Sequence, residues 1–295
     1  MKYKLRFSRV LFLVLAVAFL LCIGYACFIP IWHIINGSFS QPAYLNSAKG
    51  IIYWPLGKVD VNAYKMIFKY KKLWLGYRNT IFYIVAQCAI TGVLTVIAGF
   101  IFSRKRFYYR NAFMLFISFT MMFHGGMIPT YMVIKRLGLL DTVFAILLPT
   151  ALSVFNIIIM RTSMQNISDA LEEAARIDGA NEFTIMFRVI LPLCKATFAV
   201  IMLFTIVAKW NDYMSALLYL PNRDDLQPLQ MVLRTILNDT NIDMSNMDEM
   251  KNSMSTYKKA IQYGVIVVST VPILCIYPFV QKYFVTGMTI GAVKS

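Results

Sequence analysis

Apolar positions along this chain gather in long unbroken stretches instead of alternating with polar ones. After a basic start (Lys2, Lys4, Arg6, Arg9), the first stretch extends from Val10 to Trp32. Five more follow near residues 79–102, 111–134, 143–161, 193–213 and 261–281. Each approaches the ~20 residues that a helix needs to cross ~30 Å of hydrocarbon. The pattern therefore predicts an all-α polytopic membrane protein with six transmembrane helices. The opening stretch also has the basic flank of a secretory signal, and Gly24-Tyr25-Ala26-Cys27 offers a faint lipoprotein-type cleavage site. Two features oppose cleavage. The apolar run continues through Phe28-Ile29-Pro30-Ile31-Trp32, and Gly24 stands where Leu is wanted, so the reading is an uncleaved first helix.

Charge sets the direction of the spans. The N-terminal tail and the short turn Arg104-Lys105-Arg106…Arg110 are the densest basic clusters beside apolar ends, so both are expected in the cytoplasm. Two spans separate them and their sides agree. The loop at about 162–192 and the C-terminal tail then also fall inside. The first outer loop, about 34–78, is basic as well, but Tyr64, Ile67, Phe68, Lys69, Lys71, Lys72 and Trp74 read as one amphipathic segment lying along the membrane surface. The resulting division is an N-terminal helix plus outer loop (1–78), a transmembrane domain (79–283) containing the inner loop 168–192, and a cytoplasmic tail (284–295).

The spans carry breaks. Gly125-Gly126 and Pro129 interrupt the end of the third, Pro149 lies inside the fourth, and Pro272 and Pro278 punctuate the sixth. Broken helices at membrane depth are tolerated where they line a cavity or pack on neighbours. Lys209 and Asp212, near the end of the fifth span, read as interfacial. The last outer loop, about 214–260, is the polar one, and its acidic, non-periodic stretch from Asn238 to Glu249 reads as a solvated loop.

Composition narrows the function classes. Of 295 residues, 59% are apolar and only 15% charged, against about 25% charged in a soluble domain, which excludes an ordinary soluble enzyme. The net charge of +15 comes from 29 Lys+Arg and 14 Asp+Glu. Because the cations cluster at span ends, they point to membrane lipid and not to nucleic acid. Cys22, Cys27, Cys88, Cys194 and Cys275 form no CxxC pair and read as small packed hydrophobes. His33 and His124 stand far apart, so no metal site is expected. No G-x-x-x-x-G-K-[ST] loop occurs, so any nucleotide-driven work must draw on another subunit.

The informative segment is Ser168-Asp169-Ala170-Leu171-Glu172-Glu173-Ala174-Ala175-Arg176-Ile177-Asp178-Gly179. Asp169 and Glu172 place acids at a helix start, and Leu171, Ala174, Ala175 and Asp178 share one face of small volume. Gly179 stands where a left-handed residue would end the helix. A second helix is expected to open at Asn181 with Phe183, Phe187 and Ile190 as its apolar stripe, and Pro192 to begin span five. Such a helix–turn–helix can serve as a docking knob presenting Glu173, Asp178 and Arg188, or as an inert connector.

Glu173-Ala174-Ala175, Gly179, Val189 and Leu191-Pro192 resemble the EAA loop of ABC importer permeases at matching spacing, with Val189 where Ile is usual. Asp178-Gly179-Ala180, Trp210-Asn211-Asp212 and Tyr277–Phe284 are similar to the carbohydrate-uptake, maltose-permease-like group. Gly125–Tyr131 and the Gly287…Lys294 tail resemble its oligosaccharide and polysaccharide-fragment branch. The resemblance covers about residues 10–295 and implies the type I importer permease fold with both termini cytoplasmic. It implies a non-catalytic subunit without a cofactor of its own, ATP being bound by a cytoplasmic ABC ATPase dimer. A second homologous permease would complete the path as a heterodimer, and an extracytoplasmic solute-binding (lipo)protein would deliver the oligosaccharide. Glu172, Glu173, Ala174, Ala175, Asp178, Gly179 and Pro192 would belong to the ATPase-coupling segment. Trp210, Asn211, Tyr213 and Asn156 are the candidate sugar-pathway residues. The alternatives are an importer for an amino acid, peptide or ion, or a self-sufficient channel or secondary carrier.

Overall fold

The computed structural model describes residues 7–123, 125–238 and 256–275. Among them there is no strand; three helices are singly long and apolar enough to cross a membrane, and three bent pairs bring the number of spans to as many as six. Three are single helices: α1 (Phe7–Ser38), α4 (Lys71–Ser103) and the helix Thr256–Cys275. The other three are each made of two helices meeting at a break. These pairs are α5 (Arg110–Met122) with α6 (Met127–Arg136), Val143–Thr150 with α8 (Val154–Gln165), and Glu182–Leu193 with Lys195–Trp210. The last two bend by 48° and 86°. Gly126, at φ +90°, opens the second half of the third span; only glycine takes that backbone without strain. Tyr277–Phe284, the 287–294 tail, His124 and nearly all of the 238–249 acidic stretch lie outside the described residues.

The span limits differ from those predicted. α1 runs on to Ser38, and α4 begins at Lys71, eight residues before the apolar run. Hydropathy sees only the greasy centre of a helix, whereas the backbone ladder continues into the headgroup region. The amphipathic segment expected over Tyr64–Trp74 is in fact divided. α3 (Asn62–Lys69) ends at Tyr70, and Lys71, Lys72 and Trp74 belong to α4. α3 also packs on protein: Ala63 and Ile67 are buried, Tyr64 shares a 2.7 Å hydrogen bond with Ser38, and Gly264 lets Ile67 approach.

The chain divides into two units. One holds the described residues through Lys71 and those from Ile236 to Thr270; the other holds those from Lys72 to Thr235 and the described ones from Val271 on. In the first, His33 joins three segments. Its Nδ1 accepts the Ile52 N–H at 2.9 Å, and its ring lies edge-on to Tyr263, whose hydroxyl is 3.1 Å from Nε2. The apolar centre of α1 is not buried by any of the described residues, the expected state of a helix solvated by lipid tails or by another membrane chain.

The second unit is built on α4. One side of that helix buries Gly76, Thr80, Tyr83, Gln87, Thr91, Thr95, Gly99 and Ser103, a stripe of small and polar residues. Between membrane helices there is little hydrophobic drive, so close backbone approach and side-chain hydrogen bonds hold them together. At one end Asn79 donates to the Asp225 and Gln227 carbonyls (2.7 and 3.0 Å), Tyr83 to that of Leu226 (2.8 Å), and Thr80 accepts the Leu229 N–H (2.8 Å). The polar outer region after span five contains ordered helices, Met214–Tyr219 and Leu229–Asn238. The latter buries Leu229, Val232, Leu233 and Ile236, a stripe at i, i+3, i+4 and i+7 that too short a window hides.

Near its other end α4 meets α8, where a Cβ added at Gly99 would lie 2.9 Å from Met160 Cγ and 3.3 Å from the Arg161 nitrogen. Gly99→Val should therefore destabilise the second unit by about 1–3 kcal/mol, the range for overpacking a filled interior. A thermal melt of the purified protein in detergent, showing a clear fall in Tm with helicity retained, checks it.

Candidate functional site

The 168–192 segment folds as a capped helix, a glycine turn and a second helix. Ser168 is the N-cap of α9 (Asp169–Ile177), its hydroxyl accepting the Ala170 N–H, while Asp169 and Glu172 occupy the first turn where the helix dipole favours acids. The other end closes as a Schellman motif. Gly179 N–H returns to the Arg176 carbonyl at 3.0 Å and Ala180 N–H to that of Ala175 at 2.9 Å, with Gly179 at φ +82°. Asn181 then caps the next helix, accepting the Thr184 N–H at 2.8 Å.

That second helix departs from the expected stripe. Ile185, Met186 and Ile190 are buried, while Phe183 and Phe187 are exposed. A π-helical stretch over Ile185–Ile190 causes the shift. Proline has no N–H and its ring crowds the carbonyl four residues back, so the turn before Pro192 widens and side-chain register moves. Pro192 consequently closes this helix; the fifth span resumes at Lys195 after the bend.

α9 turns two different faces outward and inward. Leu171, Glu173, Ala174, Ile177, Asp178 and Gly179 are exposed, Ile177 by 86%, whereas Ala175 packs on the cluster around Met160, Met164 and Ile190. Glu172 is buried, and this is the side that carries charge. Its carboxylate receives Arg104 at one oxygen and Arg176, at 2.7 Å, at the other. Arg176 continues to Glu182 at 2.8 Å, and Arg104 also lies over the Phe100 ring at 4.9 Å. Lys105 reaches Asp169 at 2.9 Å, and that ammonium holds the Asp169 carboxyl below its ordinary range. The basic turn, read from sequence only as an orientation signal, therefore anchors the helix. Partners 68 residues apart leave no local signature; the sole hint was an acidic helix and a basic turn expected on one side.

A second feature lies at the break in the fourth span. Past Pro149 the helical ladder stops, and α4 supplies the missing donors: Gln87 Nε2 to the Thr150 carbonyl at 2.9 Å and Thr91 Oγ1 to that of Ala151 at 3.0 Å. Lys209 Nζ donates to the Ile146 carbonyl at 2.9 Å and to Asp212 at 3.1 Å. Of these residues Gln87, Thr91, Thr150, Lys209 and Asp212 line a cavity of about 630 Å³ whose wall includes Asn156. Lys209 and Asp212 are packed inside the unit, with 4% and 18% of their side chains exposed, a burial that the sequence reading did not anticipate.

Of the other pathway candidates, Trp210 is buried edge-on to Tyr77, Asn211 is exposed and donates back to the Val207 carbonyl, and Tyr213 lies beneath Arg234 at 5.5 Å. None of the three lines the cavity; Lys209, Asp212 and Ser215, from the same stretch, do. A helix that ends at Trp210 presents only selected residues inward, so neighbours in sequence separate in space. Among the described residues, no group of three His, Cys, Asp or Glu is placed to hold a metal ion.

Residues 92–290 match the family described as binding-protein-dependent transport system inner membrane component. The chain belongs to this family. It is 39% identical over 284 residues to the polygalacturonan/rhamnogalacturonan transport system permease protein YtcP of Bacillus subtilis (strain 168), covering 96% of this chain and 98% of that one. To protein LplC of the same organism it is 38% identical, over 94% and 93% of the two chains. Its structure superposes with a TM-score of 0.87 on a chain of a crystal structure of a bacterial ABC transporter involved in import of the acidic polysaccharide alginate. That match is 33% identical and covers 95% and 99% of the two chains. The chain is accordingly a multi-pass permease subunit of an ATP-binding-cassette importer with the type I permease fold, and ATP hydrolysis falls to a separate partner. Membership implies that partner ATPase, a binding protein and a second permease.

The buried pair makes a prediction about this permease. Removing Glu172 strands Arg104 in a poorly hydrated site, which typically costs about 3–5 kcal/mol, whereas removing Arg104 leaves Glu172 with Arg176 as its one remaining cation and costs less. Glu172→Leu alone should lower the thermal midpoint markedly and Arg104→Met by less, and the double variant should lose less than the two singles summed, as a double-mutant cycle of melts will show.

Proposed function

We propose that this permease carries an oligosaccharide across the membrane as one half of a heterodimeric path. A cytoplasmic ATPase dimer drives it through the helix Asp169–Ile177 and its Gly179 turn. In this reading residues 168–192 form the coupling segment of a transmembrane domain spanning 79–283. Residues 1–78 supply the first helix and an outer loop, and both termini, with the 284–295 tail, lie in the cytoplasm. An extracytoplasmic binding (lipo)protein brings the sugar, and ATP is bound by the ATPase alone. The oligosaccharide is supported by the names of the relatives, a polygalacturonan/rhamnogalacturonan permease and an alginate importer. Asn156, buried at the break of the fourth span, belongs to the sugar path; Trp210, Asn211 and Tyr213 flank it.

The observation that carries the coupling assignment is the division of labour on α9. Its buried acid is locked to Arg104 and Arg176, while Glu173, Ala174, Asp178 and Gly179 remain exposed on a helix closed at both ends by side-chain and backbone caps. A rigid helix with small exposed residues lets another protein approach its backbone. Glu173 offers a charge to that partner, and the φ of Gly179 sets the angle at which the second helix leaves. Pro192, by widening the turn before it, fixes where that helix bends into the span.

Gly179→Pro forces φ to about −65° where +82° is needed, and Glu173→Lys reverses the exposed charge. Both variants should insert normally yet lose sugar-stimulated ATPase activity several-fold in proteoliposomes holding the complete importer. Full stimulation in either variant would remove the coupling role.

A further inference from the structure

The cavity at the broken fourth span has polar capacity that the fold leaves unused. Much of its wall is engaged: Gln87 and Thr91 hold the freed carbonyls, and Thr205 Oγ1 donates to the Ile201 carbonyl at 3.0 Å. Asn156 differs. It is 7% exposed and lines the cavity, and its side-chain amide makes no hydrogen bond to another described residue, so its donors and acceptor are open to whatever enters the cavity. Lys209 donates to the Ile146 carbonyl and to Asp212, which leaves one ammonium N–H unengaged at the same cavity. Phe155 and Phe204, with ring centroids 6.4 Å apart, add an apolar wall.

The lysine is the decisive residue. Two other carbonyls at this break are satisfied by neutral side chains, Gln87 and Thr91, so the Ile146 carbonyl does not by itself call for a cation. Burying an ammonium is expensive unless it is paired, and Asp212 pairs it at 3.1 Å. That carboxylate has a second attachment, since its Oδ1 accepts the Ser215 N–H at 3.0 Å. It can therefore release Lys209 and keep a backbone partner. An aromatic wall suits the C–H face of a sugar ring, a free amide suits its hydroxyls, and an ammonium with an exchangeable counter-ion suits a carboxylate.

We infer that this cavity is a subsite for one uronic-acid residue of the transported oligosaccharide, whose carboxylate replaces Asp212 on Lys209. The inference rests on the oligosaccharide reading above and adds to it the charge of the sugar. Asn156 positions the ring, Lys209 selects the acid, and Asp212 keeps the site neutral while it is empty. A neutral oligosaccharide would bind without displacing Asp212 and would gain nothing from Lys209.

The test uses the detergent-solubilised importer complex without its binding protein. It is titrated calorimetrically with α-1,4-trigalacturonate and with the same trimer after reduction of its carboxyls. A charge-assisted contact should make the acidic trimer bind about tenfold more tightly or better. Lys209→Met should abolish that preference. Because Met cannot serve the Ile146 carbonyl, Asp212→Asn is the companion variant. It retains Lys209 and should tighten binding of the acidic trimer alone. Equal affinity for both trimers in the unmodified complex, a preference that survives Lys209→Met, or weaker acidic binding in Asp212→Asn would each overturn the subsite. In the complete importer, ATPase stimulation by a binding-protein-delivered uronic-acid oligosaccharide that is unchanged in Lys209→Met would also overturn it while the oligosaccharide reading stands. No stimulation by any oligosaccharide would instead remove that reading.

Discussion

A carbonyl freed from its helical ladder inside a bilayer has no water to turn to. Each such group left unsatisfied costs several kcal/mol, so a break at membrane depth survives only where another element brings a donor. This constraint organises the second unit of the permease. Pro149 ends one helix, and Gln87, Thr91 and Lys209 meet the carbonyls of Thr150, Ala151 and Ile146. The donors sit on two different helices, so the break determines which helices must lie together. It also leaves a gap where the interrupted helix would have run, and that gap is the cavity.

The Arg104 end obeys the same electrostatics in another form. Glu172, 7% exposed, would be intolerable alone. Two guanidinium groups surround it, and Arg104 is itself stacked on Phe100 and bonded to Ser103 at 3.0 Å. Buried ion pairs add little net stability compared with apolar packing, but they penalise any arrangement that separates them. Here that specificity fixes the roll of α9 about its axis, which decides that Glu173 and Ala174 face out and Glu172 faces in.

Local signals were legible in the sequence and long-range ones were not. Gly179 as a left-handed terminator, Asn181 as a helix start, the glycine break before Met127 and the small exposed residues of α9 all follow from rules that act within a few residues. The six spans follow from hydropathy. The apolar stripe of the second helix was misread because a π-helical turn changes the period from which a stripe is drawn. The interior position of Lys209 and Asp212 was missed for a different reason: a lysine at a span end ordinarily reaches the interface, and only the carbonyl of Ile146, 63 residues away, reveals why this one does not. Arg104 was assigned by its charge and its place beside the membrane, with no hint that an acid 68 positions later would claim it.

The cavity and the anchored helix share a scaffold. α4 is one unbroken helix of 33 residues. It holds the broken span at Gln87 and Thr91, meets α8 at Gly99 with almost no clearance, and leads directly into Arg104. From Gln87 to Arg104 is about 26 Å at 1.5 Å per residue. α8 runs alongside from the break to Met164, whose carbonyl also receives Arg104. A force on α9 that moves Glu172 therefore acts on the ends of two helices whose other contacts form the cavity wall. Close-packed helices shift as bodies more readily than they deform, so displacement at the charged end changes the relation between the halves of the broken span. If the separate ATPase acts through α9, as proposed above, its push and the polar cavity share the same two rods.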